Sequence, residues 1–294
     1  MRRSFFGLLL CSFAALASAQ PQQIADPNFD TRVPRPFLVK DRPKLLFDEG
    51  HHNVHRADRT YRAFVELVTN DGARLAVNRT KFTAKSLASY RLLVIAGPLG
   101  AAIEDEKRAA TAAFTKAEIE AVQRWVRRGG GLLLLTDHEP VASASAGLVS
   151  AFGARPEKTV VLDPGHRLEN MYSANILATK DNGLLRRTPV TCDVQRVLVF
   201  GGQSLSFPPG SVVIGLGSTA HIEKGGAPAG DGQMAAFRYG RGRVVITGDM
   251  GMMSAQLMVE GDEKNPWGMN WPGIDNRQLL LNTVRWLAGH KPCR

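Results

Sequence analysis

The sequence has few cysteines and no strong compositional bias. Its 294 residues include three cysteines, which excludes a small domain held together by a disulfide framework. Hydrophobic residues make up 44% of the chain and charged residues 22%, which excludes a disordered tail and a collagen-like fibre. There is no internal repeat. A chain of this length buries about three quarters of its unfolded surface, in one large core or two small ones.

Long apolar runs are also missing. The only candidate is near the start, at 5–16, and it is too short for a bilayer span of about 20 residues. Arg2 and Arg3 precede it, and Ala17-Ser18-Ala19 follows it, which is typical of a signal peptide cleaved after Ala19. The arginine pair leaves ordinary and twin-arginine export open. We therefore predict a signal peptide at 1–19, a periplasmic or secreted protein, and no membrane span after cleavage.

The chain is basic, with a formal net charge of +10. Its arginines occur at several separated places, and aromatic residues do not alternate with them as they do in single-stranded nucleic-acid binders. We interpret them as solvated surface residues and predict no nucleic-acid partner. Cys192 and Cys293 could form a disulfide in an oxidising compartment, or they could be two unrelated thiols.

The pattern of apolar residues predicts an α/β fold. Residues 20–43 are rich in proline, aspartate and arginine and read as an extended lead-in, and residues 44–290 read as a single domain. Strands are predicted at 44–48, 74–77, 92–96, 132–135, 197–200, 212–216, 234–239 and 243–247. Helices are predicted to begin near residues 61, 116, 141 and 276, and Thr115 and Glu118 are predicted to form a capping box at the second of them. Their alternation predicts a doubly wound, mostly parallel, flavodoxin-like sheet with an antiparallel hairpin near the C-terminus.

Polar residues follow several predicted strands at the point where each strand ends. Asp48 and His51 follow the first strand, Asp137 and His138 the fourth, and Asp249 the second strand of the hairpin. Ligands of open α/β sheets bind at the carboxyl ends of the strands. We therefore expect these five side chains to converge on one crevice. Asp137 and His138 are the candidate catalytic residues, and Asp48, His51 and Asp249 are candidate binding residues.

Two further sets of residues could complete this site. His51 and His55 are four residues apart and, with Asp48 or Asp137 as a third ligand, could hold zinc or another divalent ion. The alternative is a hydrogen-bonded polar rim around an irregular turn, which Gly50 favours. Asn270 lies in a tryptophan-containing segment, 267–273, that reads as a loop folding back over the crevice, and we predict that it lines the rim. Asp275 is expected to cap the last helix.

Several segments of the chain resemble one known superfamily. They are 46–52, 125–134, 137–140, 240–245, 269–270 and 275–278. These segments are similar to the class I glutamine amidotransferase-like superfamily, on its non-amidotransferase side. That side includes uncharacterised secreted bacterial proteins, trehalose-utilisation-type proteins and a domain shared by gliding-motility and intraflagellar-transport components. The resemblance implies a fold and a pocket. It does not imply amidotransferase activity, because Asp137 and His138 occupy the position of the usual catalytic cysteine.

Two classes of function remain open. The crevice could bind a small molecule, a carbohydrate or a protein, with the polar residues orienting the ligand. Alternatively it could hydrolyse a glycan or small ester, with Asp137 or His138 as the base and Asp48 as its partner or as a metal ligand. The chain has no G-x-S-x-G or G-x-C-x-G pattern after the fourth strand, and this lack of a recognisable nucleophile favours the binding module.

Overall fold

The computed structural model describes residues 22–168 and 174–292. The helices in these residues are α1 Arg62–Asn70, α2 Ala84–Leu87, α3 Glu106–Ala109, α4 Lys116–Arg127, α5 Val141–Ala151 and α6 Asn276–Leu287. The strands in the first half are β1 Gln22–Ala25, β2 Lys44–Asp48, β3 Arg74–Asn78, β4 Leu92–Ala96, β5 Gly131–Leu135 and β6 Arg155–Leu162. Those that follow are β7 Asn175–Thr179, β8 Arg196–Phe200, β9 Gln203–Ser206, β10 Val212–Gly215, β11 His221–Ile222, β12 Gly232–Tyr239, β13 Gly242–Thr247, β14 Ala255–Glu260 and β15 Glu263–Gly268.

The fold is mixed α/β and is built on one large sheet. Its strand order is β11-β6-β9-β12-β13-β5-β4-β2-β3, and β10 also pairs with β12. The half that runs from β13 to β3 is parallel, whereas the strands on the other side of β13 pair in antiparallel fashion. The predicted β12–β13 hairpin is confirmed. Strands β6 and β9 are absent from the prediction because polar residues interrupt their apolar pattern.

The parallel strands are apolar throughout because both faces of the sheet are covered. Phe47 and Leu133 belong to the core cluster on one face, together with residues of α1 and α6. Their neighbours Leu46 and Leu132 belong to the cluster on the other face, with residues of α4. Successive side chains of a strand point to opposite faces, so a strand covered on both sides needs no polar alternation. This covering holds the carboxyl ends of β2, β4, β5 and β13 side by side at one edge.

Helix capping follows the sequence in one case and departs from it in another. The capping box predicted before α4 is present, since Thr115 Oγ1 accepts from the N–H of Glu118 and Glu118 accepts from the N–H of Thr115. The predicted side-chain cap by Asp275 is wrong. Its Oδ2 instead accepts from the backbone N–H groups of Gln195 and Arg196, 2.7 and 3.1 Å away. Asp275 thereby joins β8 to the start of α6.

The segment predicted to be a loop at 267–273 begins inside a strand. Strands β14 and β15 form a hairpin, and Trp267 and Gly268 are the last residues of β15. Strand β1, which lies in the lead-in, pairs with β14 along its length. The hairpin was missed because β15 contains Glu263, Lys264 and Pro266, which interrupt any apolar alternation. The lead-in thus becomes one edge of a small three-stranded sheet.

Three further sequence predictions concern the signal peptide, the two cysteines and membrane spans. Residues 1–19, predicted to be a signal peptide, lie outside them. Cys192 is disulfide-bonded, and its candidate partner Cys293 also lies outside. Within residues 22–168 and 174–292, every helix is too short or too polar to cross a bilayer.

Candidate functional site

A crevice of about 240 Å³ opens where β5 and β13 end. The parallel register pairs Leu135 with Thr247, so the residues that follow these two strands emerge next to each other. We call this cavity the strand-end crevice. Its lining includes His55, Asp137, His138, Phe200, Asp249, Gln256 and Trp267. Of the candidates named from the sequence, it therefore contains Asp137, His138, Asp249 and His55.

Asp137 and Asp249 form a carboxyl pair in this crevice. Oδ2 of Asp137 accepts a hydrogen bond from the N–H of Met250, 3.1 Å away, and Met250 is the residue after Asp249. The carboxylate of Asp249 accepts from the N–H groups of Phe200 and Gly251, both at 2.6 Å. Asp249 is 1% exposed, whereas the side chain of Asp137 is 14% exposed and faces the crevice.

Burial changes the proton affinity of both carboxyls. Burial raises the pKa of Asp137 to about 7, against the effect of its two backbone hydrogen bonds. Burial, and then the negative charge of Asp137, raises the pKa of Asp249 to about 7. Two interacting carboxyls titrate as a pair, so near neutral pH the pair holds a proton that it can donate or take back. Pairs of this kind are common in sites of acid–base chemistry and in polar ligand sites.

Tyr61 and His55 lie next to this pair, and of the two only His55 lines the crevice. The Tyr61 hydroxyl donates to the carbonyl oxygen of Met250 at 2.6 Å, and the His55 ring stacks on the Tyr61 ring with 4.5 Å between centroids. Burial, with smaller contributions from Asp249 and Asp137, raises the pKa of Tyr61 well above its usual value. Burial lowers the pKa of His55 to about 3, so His55 is neutral. Its Nδ1 lies 2.8 Å from Oγ1 of Thr60.

Sequence reasoning missed Gln256, which lies on the β14 side of the crevice. Its side chain is fully buried, its Nε2 donates to Oγ of Ser254 at 2.7 Å, and its Oε1 has no hydrogen-bond partner among the described residues. A buried acceptor without a donor is costly unless a ligand or water supplies one. The polar residue at an inward position of β14 was the available signal, but it could be read only once the strand was known.

Trp267 and Phe200 form an aromatic wall of the crevice, with 5.0 Å between their ring centroids. Gly251 allows this wall to lie close to the acidic pair. A Cβ at position 251 would lie 2.7 Å from Nε1 of Trp267 and 3.0 Å from Oδ1 of Asp249. The sequence analysis assigned no ligand role to Trp267 and placed it in a loop, whereas it lies at the end of β15.

His138 lies at the mouth of the crevice. Its side chain is half exposed, its Nδ1 lies 2.9 Å from the carbonyl oxygen of Glu139, and its Nε2 lies 3.5 Å from Oδ1 of Asp137. The next peptide bond, Glu139–Pro140, is cis. The exposed ring can reach a ligand in the crevice, so His138 stays a candidate for proton transfer beside Asp137.

Asp48 and His51 lie at the same edge of the sheet but belong to a separate, buried cluster. Nδ1 of His51 is 2.8 Å from Oδ2 of Asp48, and its Nε2 is 2.9 Å from Oε1 of Glu118. Burial opposes the charged ring, but the two carboxylates prevail and raise the pKa of His51. Burial likewise opposes the charge of Glu118, yet His51 and Thr115 lower its pKa to about 2. Neither Asp48 nor His51 lines the strand-end crevice, because β4 separates β2 from β5.

The predicted metal set of His51, His55 and Asp137 is not brought together. Among residues 22–168 and 174–292, no group of three or more histidine, cysteine, aspartate or glutamate side chains has the arrangement of a metal site. The physical reason is that both ring nitrogens of His51 are taken by carboxylates, whereas His55 faces Thr60 and Tyr61. The alternative expectation of a hydrogen-bonded polar rim describes this turn.

Asn270 is placed behind the crevice and is not part of its lining. Its Nδ2 donates to the carbonyl oxygen of Gln256 at 2.8 Å and to Oδ2 of Asp26 at 3.0 Å. Asn270 therefore fastens the lead-in to the β14–β15 hairpin. The sequence could not show this contact, since Asp26 is 244 positions away.

The comparisons with known proteins show similarity in fold. No protein-family profile matches the chain, and no curated protein matches it. Among solved structures, the N-terminal domain of mmIFT52 is similar with a TM-score of 0.62 at 17% identity, over 84% of this chain and 98% of that one. ThuA-like proteins are also similar. The one from Parabacteroides merdae has a TM-score of 0.45 at 15% identity over 84% and 90% of the two chains. The one from Bacteroides uniformis has a TM-score of 0.40 at 15% identity, over 90% of this chain and 95% of that one.

Proposed function

We propose that the strand-end crevice binds a small neutral saccharide. The observation that carries this proposal is the polar lining of one cavity: the Asp137–Asp249 pair, the His55 ring and Gln256, whose Oε1 has no partner among the described residues. Sugar hydroxyls both donate and accept, so they suit acceptors that lie next to a carboxyl pair holding a proton. The ring of Trp267 offers an apolar face against which a sugar ring can stack.

A second function, glycan hydrolysis, is favoured by the pKa of Asp137. A carboxyl with a pKa of about 7 can act as a general acid or base near neutral pH. Glycosidases use two carboxyls, one on each side of the scissile bond. In this alternative Asp137 transfers the proton, its burial keeps its proton affinity high, and His138 assists from the mouth.

The test is a screen of neutral mono- and disaccharides by ligand-detected NMR, followed by titration of the hits. We expect Asp137→Asn to weaken binding about tenfold, the loss typical of one hydrogen bond to a charged or protonated carboxyl. Asp58→Asn, at a carboxyl that is 69% exposed, is the matched control and should bind like the wild type. A panel without a single hit would overturn the proposal. Release of monosaccharide from a bound disaccharide, lost in Asp137→Asn, would favour hydrolysis.

We further infer that the chain is a distant, exported member of the class I glutamine amidotransferase-like superfamily, with a doubly wound, flavodoxin-like arrangement. The residues at 1–19 support export, and the segments named above support the superfamily. The likeness in fold to the mmIFT52 domain is compatible with its non-amidotransferase side. N-terminal sequencing of protein recovered from a periplasmic fraction tests the export, and a chain that still begins at Met1 would contradict it.

A further inference from the structure

Arginines that are scattered in the sequence gather at the edge of the sheet opposite the strand-end crevice. Arg91 precedes β4, Arg127 and Arg128 end α4, and the remaining three lie at the β12–β13 turn. We call these six residues the arginine pole. Its members are Arg91, Arg127, Arg128, Arg238, Arg241 and Arg243. The amino ends of parallel strands and the carboxyl ends of the helices that follow them share one edge, which explains the gathering.

Direct contacts join these segments. The N–H of Arg241 donates to the carbonyl oxygen of Arg127 at 3.0 Å. Nη1 of Arg91 donates to the carbonyl oxygen of Gly129 at 2.6 Å. Arg91 and Arg243 approach the same point, since a Cβ at Gly289 would lie 2.6 Å from Nη2 of Arg91 and 3.2 Å from Nη1 of Arg243.

No carboxylate among the described residues pairs with the arginine pole. In the described part of the chain, none of its six members forms a salt bridge with Asp or Glu. Nε of Arg243 is buried and has no hydrogen-bond partner among the described residues, and the guanidinium group lies over the ring of Trp286, 5.5 Å from its centroid. Burial, and then the charges of Arg238 and Arg91, lowers the pKa of Arg243. Like charges held close together repel one another, and an anion bound between them would relieve that repulsion.

Helix ends account for only part of this charge. The carboxyl ends of α4 and α6 meet here, and Arg91 donates to the carbonyl oxygens of Gly129 and Ala288 that follow them. A helix carboxyl end carries about half a negative charge, so two helices supply about one. Six guanidinium groups therefore leave most of the positive charge unbalanced. A purely capping role would require one or two arginines.

A cleft of about 300 Å³ opens beside this pole. Arg91, Arg124 and Arg128 line it, together with the ring of Trp125 and the backbone at 129–130. Arg124 is paired with Glu120 at 3.2 Å, whereas the Arg128 side chain is exposed and has no partner among the described residues. The cleft thus combines the hydrogen-bonded guanidinium group of Arg91 and the exposed one of Arg128 with an aromatic wall, and it is large enough for an anionic group that carries an organic part.

We infer that this cleft binds the phosphate group of a small organic phosphate, whose organic part lies against Trp125. Guanidinium groups present paired N–H donors that match phosphate oxygens, and an oxyanion takes the place of the missing carboxylates. The site is independent of the strand-end crevice, which lies at the other edge of the sheet and is rich in acceptors.

The test is calorimetric titration of the full chain with inorganic phosphate and with glucose 6-phosphate, at low salt. We expect saturable binding of about one equivalent of each, tighter for glucose 6-phosphate, and no binding of glucose at this site. Arg91→Gln and Arg128→Gln should each weaken binding about tenfold, because each removes a guanidinium group that lines the cleft. The matched control is Arg59→Gln. Arg59 lies beyond the carboxyl end of β2, is exposed and has no side-chain partner among the described residues, so this variant should bind phosphate like the wild type.

Three outcomes would overturn the inference. The first is no saturable binding of either phosphate. The second is an equal loss in Arg59→Gln, which would mean that net charge alone attracts the anion. The third is binding to duplex DNA or to phosphatidylglycerol vesicles that persists when glucose 6-phosphate is added in about tenfold molar excess. Circular dichroism of each variant separates a lost site from a lost fold.

Discussion

Nε2 of His51 lies 2.9 Å from Oε1 of Glu118, so the glutamate that caps α4 also holds the turn after β2. The same oxygen accepts from the N–H of Phe82, and the other oxygen accepts from Thr115. One carboxylate therefore joins a helix start, a turn and the segment before α2. This arrangement makes Glu118 a structural centre beneath the edge of the sheet that carries the crevice.

Glu118→Gln should lower the free energy of unfolding by about 2 to 4 kcal/mol, because it removes one partner of a buried ion pair. Glu120→Gln on the same helix is the control. Its carboxylate is half exposed and pairs only with Arg124, so its effect should stay within about 0.5 kcal/mol. Urea unfolding of the two variants and the wild type measures both values. Equal effects of the two substitutions would contradict the assignment.

The same pair predicts a pH window. The pKa of Glu118 falls from 4.5 to about 2 on folding, so its contribution is complete above pH 4.5 and is lost as pH falls toward 2. The pKa of His51 is raised from 6.5, so its contribution is complete below pH 6.5 and is lost as pH rises through the folded value. The difference in stability between wild type and Glu118→Gln should therefore be largest between these limits. A difference that does not vary with pH would argue against the charged pair.

Asp137→Asn should flatten the loss of stability that accompanies a rise in pH from 3.8 to about 7. The pKa values of Asp137 and Asp249 are raised to about 7 on folding, so their contribution is present below the unfolded value of 3.8 and is lost as pH rises through 7. Replacing Asp137 removes the pH-dependent contribution of its own carboxyl and also the repulsion that it exerts on Asp249. The measurement is the free energy of unfolding at pH 5 and pH 8.5, roughly two units on either side of the folded pKa of about 7, and the difference between the two gives the pH dependence of stability.

The absolute stability of Asp137→Asn is a poorer readout than its slope. The amide keeps only one acceptor oxygen for the N–H groups of His138 and Met250, which costs about 1 kcal/mol at every pH. Asp58→Asn is again the control and should follow the wild-type slope. If Asp137→Asn also follows it, the two buried carboxyls do not interact as described.

Asn270→Ala should lower the free energy of unfolding by about 1 to 2 kcal/mol, since it leaves the carbonyl oxygen of Gln256 without its donor and frees Asp26. Amide exchange should become faster in β1, where the lead-in pairs with β14. Asn265→Ala, at an exposed position of β15, should change neither quantity. Weaker saccharide binding by Asn270→Ala with unchanged stability would instead restore Asn270 to the rim of the crevice.

The sequence by itself determined the elements whose signal is local. Strands β2 to β5, helices α1, α4, α5 and α6 and the β12–β13 hairpin were all predicted, because a buried parallel strand is continuously apolar and a surface helix has an apolar stripe. The capping box at Thr115 and Glu118 was equally local, as was the placement of Asp137 and Asp249 at strand ends. These features need only neighbouring residues to be recognised.

Tertiary structure alone decided how the polar residues are shared out. One intervening strand, β4, puts Asp48 and His51 into a buried cluster with Glu118 and leaves the crevice to Asp137 and Asp249. Strand order also brings Gln256 from the unpredicted β14 to the crevice and gathers the arginines at the opposite edge. Such contacts join residues tens to hundreds of positions apart, and the order of strands in a sheet depends on which long-range pairings bury the most apolar surface, which no local pattern records.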